Sequence, residues 1–447
     1  MSKRSSYQSL ATRRRFLRTG LLGAAAATSV PAFLERTFAG MHHAADAASA
    51  VQGVTGKDGT ILVVVQLAGG NDGLNTVVPW ADDAYYQARK KIAIPQNQVL
   101  KVNDQIGFAP AVKYFHEAFD NGELALVQGV GYPNPNRSHF RSTEIWEQAT
   151  AADKTAHTGW LGRYFDNACD GEDPVPGIAL TNQKPDSFVA ARKQGITLDA
   201  PELYKWVDGG EGGARRSEVF DHLNAPDDEQ DGASTGQMTS GVKKDTGIHS
   251  AGEALDFLER TALDARLSSD KVGEIVRKSK SKISYPGTPI GRNLQLISRM
   301  IEGGLSTRVY YASHGGFDTH NNQRGAHPAR LGQLDQALRA FFKDLKAQGN
   351  YERVVLMTFS EFGRRVAENA NAGTDHGAAA PLFLMGGGVK GGIVGDHPSL
   401  TDLHRGDLKF SVDFRSVYAS LLEQWLGTNS EAVLRGKFKP LDLIRRG

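Results

Sequence analysis

The sequence predicts an α/β fold in which a mostly parallel central sheet is flanked by helices on both faces. Three observations predict it. Residues 61–67, Ile-Leu-Val-Val-Val-Gln-Leu, form a continuous apolar, mostly β-branched run of the kind found in strands buried on both sides. Strand-like and helix-like segments then alternate along most of the chain, the rhythm of parallel strands joined by helical crossovers. Fifty glycines in 447 residues suit the many tight loops that such a sheet carries at its edges.

The elements come in order. Residues 111–119 have helical spacing, and 123–130 read as the second strand. Residues 140–149 predict the next helix. Between 150 and 285 the pattern weakens, and this part reads as an inserted, partly mobile region. It contains a Gly/Asp/Ser-rich stretch, 208–247, with the composition of a long loop. Residues 251–280 are long, charged and amphipathic, and predict a helix. The rhythm returns with a helix at 294–301, a strand at 308–312 and a helix at 329–348. Strands follow at 353–359 and 381–385, and a closing helix spans 412–426, stopped by Gly427. No internal repeat is visible, so 58–446 reads as a single domain.

Composition narrows the class. Hydrophobic residues make up 40% and charged residues 23%, which excludes a wholly disordered chain, a collagen or a coiled coil. The only cysteine, Cys169, excludes an intramolecular disulfide framework and any cysteine-rich zinc site. The formal charge of +2 is misleading, because residues 1–39 hold seven basic residues and one acid. Without them the charge falls to −4, and no basic stripe interleaved with aromatics appears later, which argues against a nucleic-acid partner.

Those first residues read as an export signal. Thr12-Arg13-Arg14-Arg15-Phe16-Leu17-Arg18 is followed by a weakly apolar, Ala/Gly-rich segment up to Pro31. This is the layout of a twin-arginine signal, which hands a folded chain to the twin-arginine export machinery. Cleavage is expected after Ala39 or Ala50. The apolar segment is too short to span a membrane, so no stable membrane anchor is expected, and the localisation expected is periplasmic or secreted.

Chemistry is expected where open α/β sheets place it, in the loops just past the carboxyl ends of strands. Five loops there carry Asp, Glu, His or Ser. They are Gly69-Gly70-Asn71-Asp72-Gly73, Asn136-Arg137-Ser138-His139-Phe140, His314-Gly315-Gly316-Phe317-Asp318-Thr319-His320, Ser360-Glu361-Phe362-Gly363-Arg364 and Thr374-Asp375-His376-Gly377. Carboxylate and imidazole together suit hard and borderline divalent ions. Two such ions about 4 Å apart can clamp an in-line displacement at phosphorus. The candidate ligands are Asp72, Asp318, His320, Glu361 and His376, holding one or two of zinc, magnesium, calcium or manganese. Ser138 is the candidate nucleophile, activated by metal coordination. Arg137 or Arg364 would hold the ester's non-bridging oxygens bidentately.

Each residue also has a structural explanation. Asp72 could be a turn residue, Ser138 the N-cap of the following helix, and Glu361 a buried ion-pair partner, with Arg364 the candidate cation. Five such loops after the same kind of element make the joint pattern the stronger reading. Gly69-Gly70 is not a dinucleotide fingerprint, and no nucleophile elbow of the α/β-hydrolase kind occurs. His42, His43, His157, His249 and His404 have no matching context and read as incidental.

These loops, in this order, resemble a large bacterial family of exported proteins carried as a domain of unknown function, number fifteen-oh-one. The resemblance covers about residues 58–446. Gly-Gly-Asn-Asp-Gly, Gly-Phe-Asp-Thr-His, Ser-Glu-Phe-Gly-Arg and Thr-Asp-His-Gly carry it. That family is similar to the alkaline-phosphatase and sulfatase superfamily, which implies an alkaline-phosphatase-like fold with a two-metal site at the sheet's carboxyl edge. By this resemblance Asp72 matches the aspartate after the first strand, and Ser138 lies near the nucleophile position. Asp318 and His320 match the Asp-plus-His pair of one metal, Glu361 takes the place of an aspartate, and His376 matches the late histidine. The chain departs from the pattern at Phe362, which stands where the superfamily has a metal-binding histidine. That metal could be held by Glu361, Asp72 and water, or its site could be empty. The sulfatase signature is absent too, with Pro133 where its Cys or Ser would be, so a formylglycine sulfatase is not expected.

The function expected is an exported metal-dependent hydrolase of a phosphate or sulfate ester, on a small-molecule or polymer-borne substrate. The alternative is a catalytically inactive relative that binds a ligand or protein partner in the same cleft.

Overall fold

A computed structural model describes residues 59–169, 175–193, 195–198, 272–275, 278–279 and 281–445. The segment 1–39 read as an export signal, the stretch 208–247 and most of 251–280 lie outside the described residues. The chain divides into two compact units, one of residues 49–200 with 274–447 and one of 1–48 with 201–273. Of the second only Val272 and Gly273 are described, and the main sheet with its flanking helices belongs to the first.

The strands of that sheet are β1 (Ile61–Ala68), β2 (Leu124–Gly131), β3 (Gly177–Leu180), β4 (Ile196–Thr197), β5 (Val309–Gly315) and β6 (Val354–Phe359). A hairpin outside the sheet comes next, β7 (Arg364–Glu368) and β8 (Thr374–His376). The main sheet is completed by β9 (Ala380–Gly386), β10 (Gly392–Val394) and β11 (Val412–Asp413). Its order is β10-β2-β9-β6-β1-β5-β3-β4, with β11 also on β2. Only β9 runs antiparallel; every other pairing is parallel. The α/β class with a mostly parallel sheet is therefore as expected.

β1 lies at the centre because its residues suit both faces. Val64 pairs with Tyr311 of β5 on one side and Met357 of β6 on the other. Leu62 and Val64 enter a core shared with Trp146, Trp160, Phe165 and Tyr418. These come from α3 (His139–Gln148), α4 (Trp160–Ala168) and α7 (Phe414–Ser420). On the other face Phe383 of β9 packs edge-on to Phe115, ring centroids 5.1 Å apart. Phe115 belongs to α2 (Lys113–Asp120), which follows the short α1 (Asp83–Ala88). Helices thus cover both faces, and α5 (Pro289–Glu302) and α6 (Gln323–Gln348) complete the set. Among the described residues no helix is long and apolar enough to cross a membrane.

Three departures from the expected elements have physical causes. α4, β3 and β4 lie inside the weakly patterned region, where strands of four and two residues are too short to show a period. α6 begins at Gln323, six residues before the expected start, with Pro328 inside it. Buried bonds made by Gln323 and His327 outweigh the single backbone bond the proline removes. The closing helix is preceded by β11 and ends in a π-helical turn, Leu421–Trp425, before Gly427 takes a left-handed φ of +70°.

Candidate metal centre

The first loop after β1 turns on Gly69 and Gly70, with φ of +116° and +77°. A Cβ on Gly69 would stand 2.4 Å from the Asp318 amide, and one on Gly70 2.4 Å from the Phe362 ring. Only glycine lets three of the five loops close on one another here. Arg364 then ties them together. It is fully buried, and it donates to the carbonyls of Gly70 (2.7 Å), Thr374 (2.8 Å), Phe317 (3.2 Å) and Gly69, and to Asp318 Oδ1 (2.6 Å). β7 and β8 pair Arg364 directly opposite His376, which brings the last loop to the same point. α3 is pinned from below, where the Ser142 hydroxyl donates to the Glu361 carbonyl.

Three imidazoles meet at Asp318. His139 Nδ1 lies 2.8 Å from Glu361 Oε1. His376 Nδ1 lies 2.8 Å from the Arg137 carbonyl. His320 Nδ1 lies 3.4 Å from Asp375 Oδ1. A carbonyl or ionised carboxylate only accepts, so each Nδ1 carries the proton and each neutral ring turns its Nε2 lone pair inward. Those inner atoms crowd together. His320 Nε2 is 2.9 Å from His376 Nε2, and the two stand 3.1 and 3.2 Å from Asp318 Oδ1. His139 Nε2 is 3.5 Å from Asp318 Oδ2. Single ligand atoms of His139, Asp318 and His376 all fall within 4.8 Å of one another.

Electrostatics follow from these partners. The Glu361 hydrogen bond holds the His139 imidazole above its ordinary range, against burial. Burial holds His376 below it. Burial also pushes the Asp318 carboxyl up, but the hydrogen bond and charge of the Arg364 guanidinium outweigh it and keep the group low. Phe362, 2% exposed, lies against two of the imidazoles, its ring centre 4.9 Å from that of His139 and 4.5 Å from that of His376.

Residues 59–434 match the family model described as protein of unknown function (DUF1501). The chain belongs to the DUF1501 family. No curated protein matches it. Among solved structures the PsFucS1 sulfatase from Pseudoalteromonas sp. aligns at 9% identity and a TM-score of 0.38, over 93% of this chain and 75% of that one. The lipoteichoic acid synthase LtaP from Listeria monocytogenes aligns at 8% and 0.31, over 77% and 67%. A 2-O GAG sulfatase aligns at 9% and 0.28, over 75% and 66%. At scores this low none of these proteins lends its activity to the DUF1501 chain.

Of the residues singled out in the sequence, Asp318, His320 and His376 are brought together, with Glu361 directly behind His139. Asp72 is not among them. Its carboxylate is fully buried, with Oδ2 paired to Arg89 Nη1 at 2.6 Å and bonded by Gln323, and Oδ1 capping the amides of Leu74 and Asn75. Burial pushes it up, yet the charge and hydrogen bond of Arg89 prevail and hold it low. The turn role is the one the structure gives this aspartate. Arg364 grips backbone and Asp318, with its guanidinium closed to an ester. Arg137 turns its guanidinium to Asp407, Nε to Oδ2 at 3.0 Å, and contributes its carbonyl to His376. Ser138 is the exposed N-cap residue of α3, with no capping bond from its hydroxyl.

His139 was not singled out, although it stands in the Ser-His-Phe segment at the carboxyl end of β2. The signal was its position as the first residue of a helix that starts at the sheet edge. Beside the cluster a cleft of about 870 Å³ is lined by His139, Glu361, Gln66, Glu147, Tyr311 and Ser313, with Phe140, 89% exposed, also on its wall.

Proposed function

We propose that this DUF1501 chain is an exported metal-dependent hydrolase of a phosphate or sulfate ester. One observation carries the reading. Three Nε2 atoms converge on the Asp318 carboxylate with an acceptor behind each Nδ1, so in the neutral tautomers their lone pairs face one another and a cation among them relieves the repulsion. The donor set fits one. Ligand atoms at 2.0–2.2 Å from a tetrahedral ion stand roughly 3.3 Å apart; the contacts among His320 Nε2, His376 Nε2 and Asp318 Oδ1 run from 2.9 to 3.2 Å, and His139 Nε2 lies 3.5 Å from Asp318 Oδ2. Acceptors behind each Nδ1 fix the tautomer, as histidine ligands require. Imidazole-rich sets favour zinc over calcium, magnesium or manganese.

His139, Asp318, His320 and His376 are the residues that would hold the ion. A divalent ion bound there supplies Lewis-acid polarisation of an ester oxygen and a lowered pKa for water. The chain's own residues do the rest. Glu361, Asp375 and the Arg137 carbonyl orient the three imidazoles, and Arg364 fixes Asp318 Oδ1. Ser138, exposed one residue before His139, is the hydroxyl assigned to attack in this reading. The adjacent cleft takes the alcohol part of a small-molecule or polymer-borne ester.

Elemental analysis of the folded chain, with turnover of aryl phosphate and aryl sulfate, tests this. Metal and turnover should both vanish in Asp318→Ala. Turnover that survives in a metal-free variant would sink the reading. A second reading, a ligand-binding relative without turnover, draws on the engagement of both Arg137 and Arg364 by protein groups, and it predicts bound metal with no hydrolysis. Export by the twin-arginine route belongs to the proposal as well. Arg14→Lys with Arg15→Lys should keep the chain in the cytoplasm, and an unchanged periplasmic yield would refute that route.

A further inference from the structure

We infer that the metal centre is mononuclear, the place of a second ion being closed by two buried guanidinium groups, Arg89 and Arg364. The inference rests on the metal-dependent reading and goes beyond it in fixing the count.

Of the groups that a second ion would need, Asp72 is fully engaged and Glu361 stands alone. An ionised carboxylate accepts about four hydrogen bonds. Asp72 accepts from the amides of Leu74 and Asn75 on Oδ1, and from Arg89 and Gln323 on Oδ2, so no lone pair is left to coordinate. Arg89, as fully buried as Asp72, would lose its counter-charge if an ion took that carboxylate. Glu361 Oε1 accepts from the Gly69 amide at 2.8 Å and faces His139 Nδ1; Oε2 has only a 3.4 Å contact with the Ser360 hydroxyl, whose proton goes to the Leu67 carbonyl, so a second ion would find one carboxylate oxygen there. Phe362 offers no ligand atom beside it. Arg364 sets a permanent positive charge 2.6 Å from Asp318 Oδ1.

Formal charge, counted over the groups in direct contact with the cluster, agrees with one ion. Asp318, Glu361 and Asp375 bring three negative charges to the cluster and its immediate partners, and Arg364 one positive. Two negative charges remain, which one divalent ion neutralises. A second would leave an excess positive charge beside a guanidinium that is fully buried and cannot deprotonate.

Cobalt titration decides it. The full-length chain is stripped with a chelator, and cobalt(II) is added while visible absorption is followed. Elemental analysis of the protein as isolated gives a second count. The expected result is an endpoint at one equivalent and one metal per chain. His376→Ala and Asp318→Asn should each lose the absorption bands, whereas Asp72→Asn should keep a one-equivalent endpoint. Two equivalents in the wild type would overturn the mononuclear assignment and leave the metal-dependent reading standing. No uptake at all would remove both. One equivalent retained in His376→Ala and in Asp318→Asn would place the ion elsewhere and overturn the assignment. If Asp72→Asn does not fold, the wild-type endpoint still decides.

Discussion

Glu147 gives the prediction that can be worked furthest. It lies on α3, eight residues beyond His139, 7% exposed on the cleft wall. Its Oε1 is 2.9 Å from the Tyr311 hydroxyl, and its Oε2 accepts from the Asp186 amide at 2.7 Å. Burial pushes the carboxyl from its ordinary value near 4.5 up to about 7, more than those hydrogen bonds pull it down. At 1.36 kcal/mol per pKa unit, this gap corresponds to about 3 kcal/mol. The sign follows from the direction. The folded chain holds this proton more tightly than the unfolded one. The contribution is therefore complete below about pH 4.5, declines as pH rises, and is gone above the folded value near 7. Glu147→Gln copies the protonated form. Its amide can donate to Tyr311, whose hydroxyl donates on to Gln66 Oε1 at 3.1 Å, and its oxygen still accepts from Asp186. Guanidinium unfolding of both chains at pH 4.5, 6 and 7.5 isolates the group, because every other titration cancels in the difference. The wild type should lose about 3 kcal/mol relative to Glu147→Gln across that range. Parallel pH profiles would refute the argument, since they would mean that Glu147 titrates alike in both states.

Two further substitutions separate framework from centre. Asp72→Asn leaves Arg89 buried without a counter-charge, at a cost of about 3–5 kcal/mol. For a chain of this length that lowers Tm by roughly 4–5 °C. Calorimetry checks it, and an unchanged Tm would show that Arg89 finds another partner. Glu361→Gln removes the charge behind His139 Nδ1 and should weaken metal binding about 10–100-fold in competition with a chromophoric chelator. Affinity equal to wild type would detach His139 from the ligand set.

Much of this was legible in the sequence. The β-branched run of β1 could only be a doubly buried strand, and the loops after β5 and before β9 did deliver Asp318, His320 and His376 to one point. Partners were not legible. Nothing local announces that Arg89, at the end of α1, folds back onto Asp72, or that Arg364 faces inward to five oxygen acceptors. Residue type tells what a group can bond, but burial and contact decide what it does bond. Helix α6 starts early for the same reason, because its first turns are fixed by Thr319, Thr374 and Asn71 rather than by propensity.

Asp72 and Asp318 make the distinction concrete. Both follow a central parallel strand, both lie in glycine-rich loops, and both are paired with arginine. Asp72 is 0% exposed, and both its oxygens are bonded by neighbours, so its charge is balanced inside the fold and serves it. Asp318 keeps 46% of its side chain exposed, and its arginine takes only Oδ1. Oδ2 faces His139 at 3.5 Å, too far for a good hydrogen bond and close enough to share a cation. The same sequence signal therefore marks a strut in one loop and a proposed ligand in the other, and the difference is the number of lone pairs that the surrounding chain leaves open. By that measure Phe362 is no simple loss. A ring that cannot coordinate, set against His139 and His376, packs their planes without competing for their nitrogens, and it helps hold the inward pointing of Nε2 on which any cation here depends.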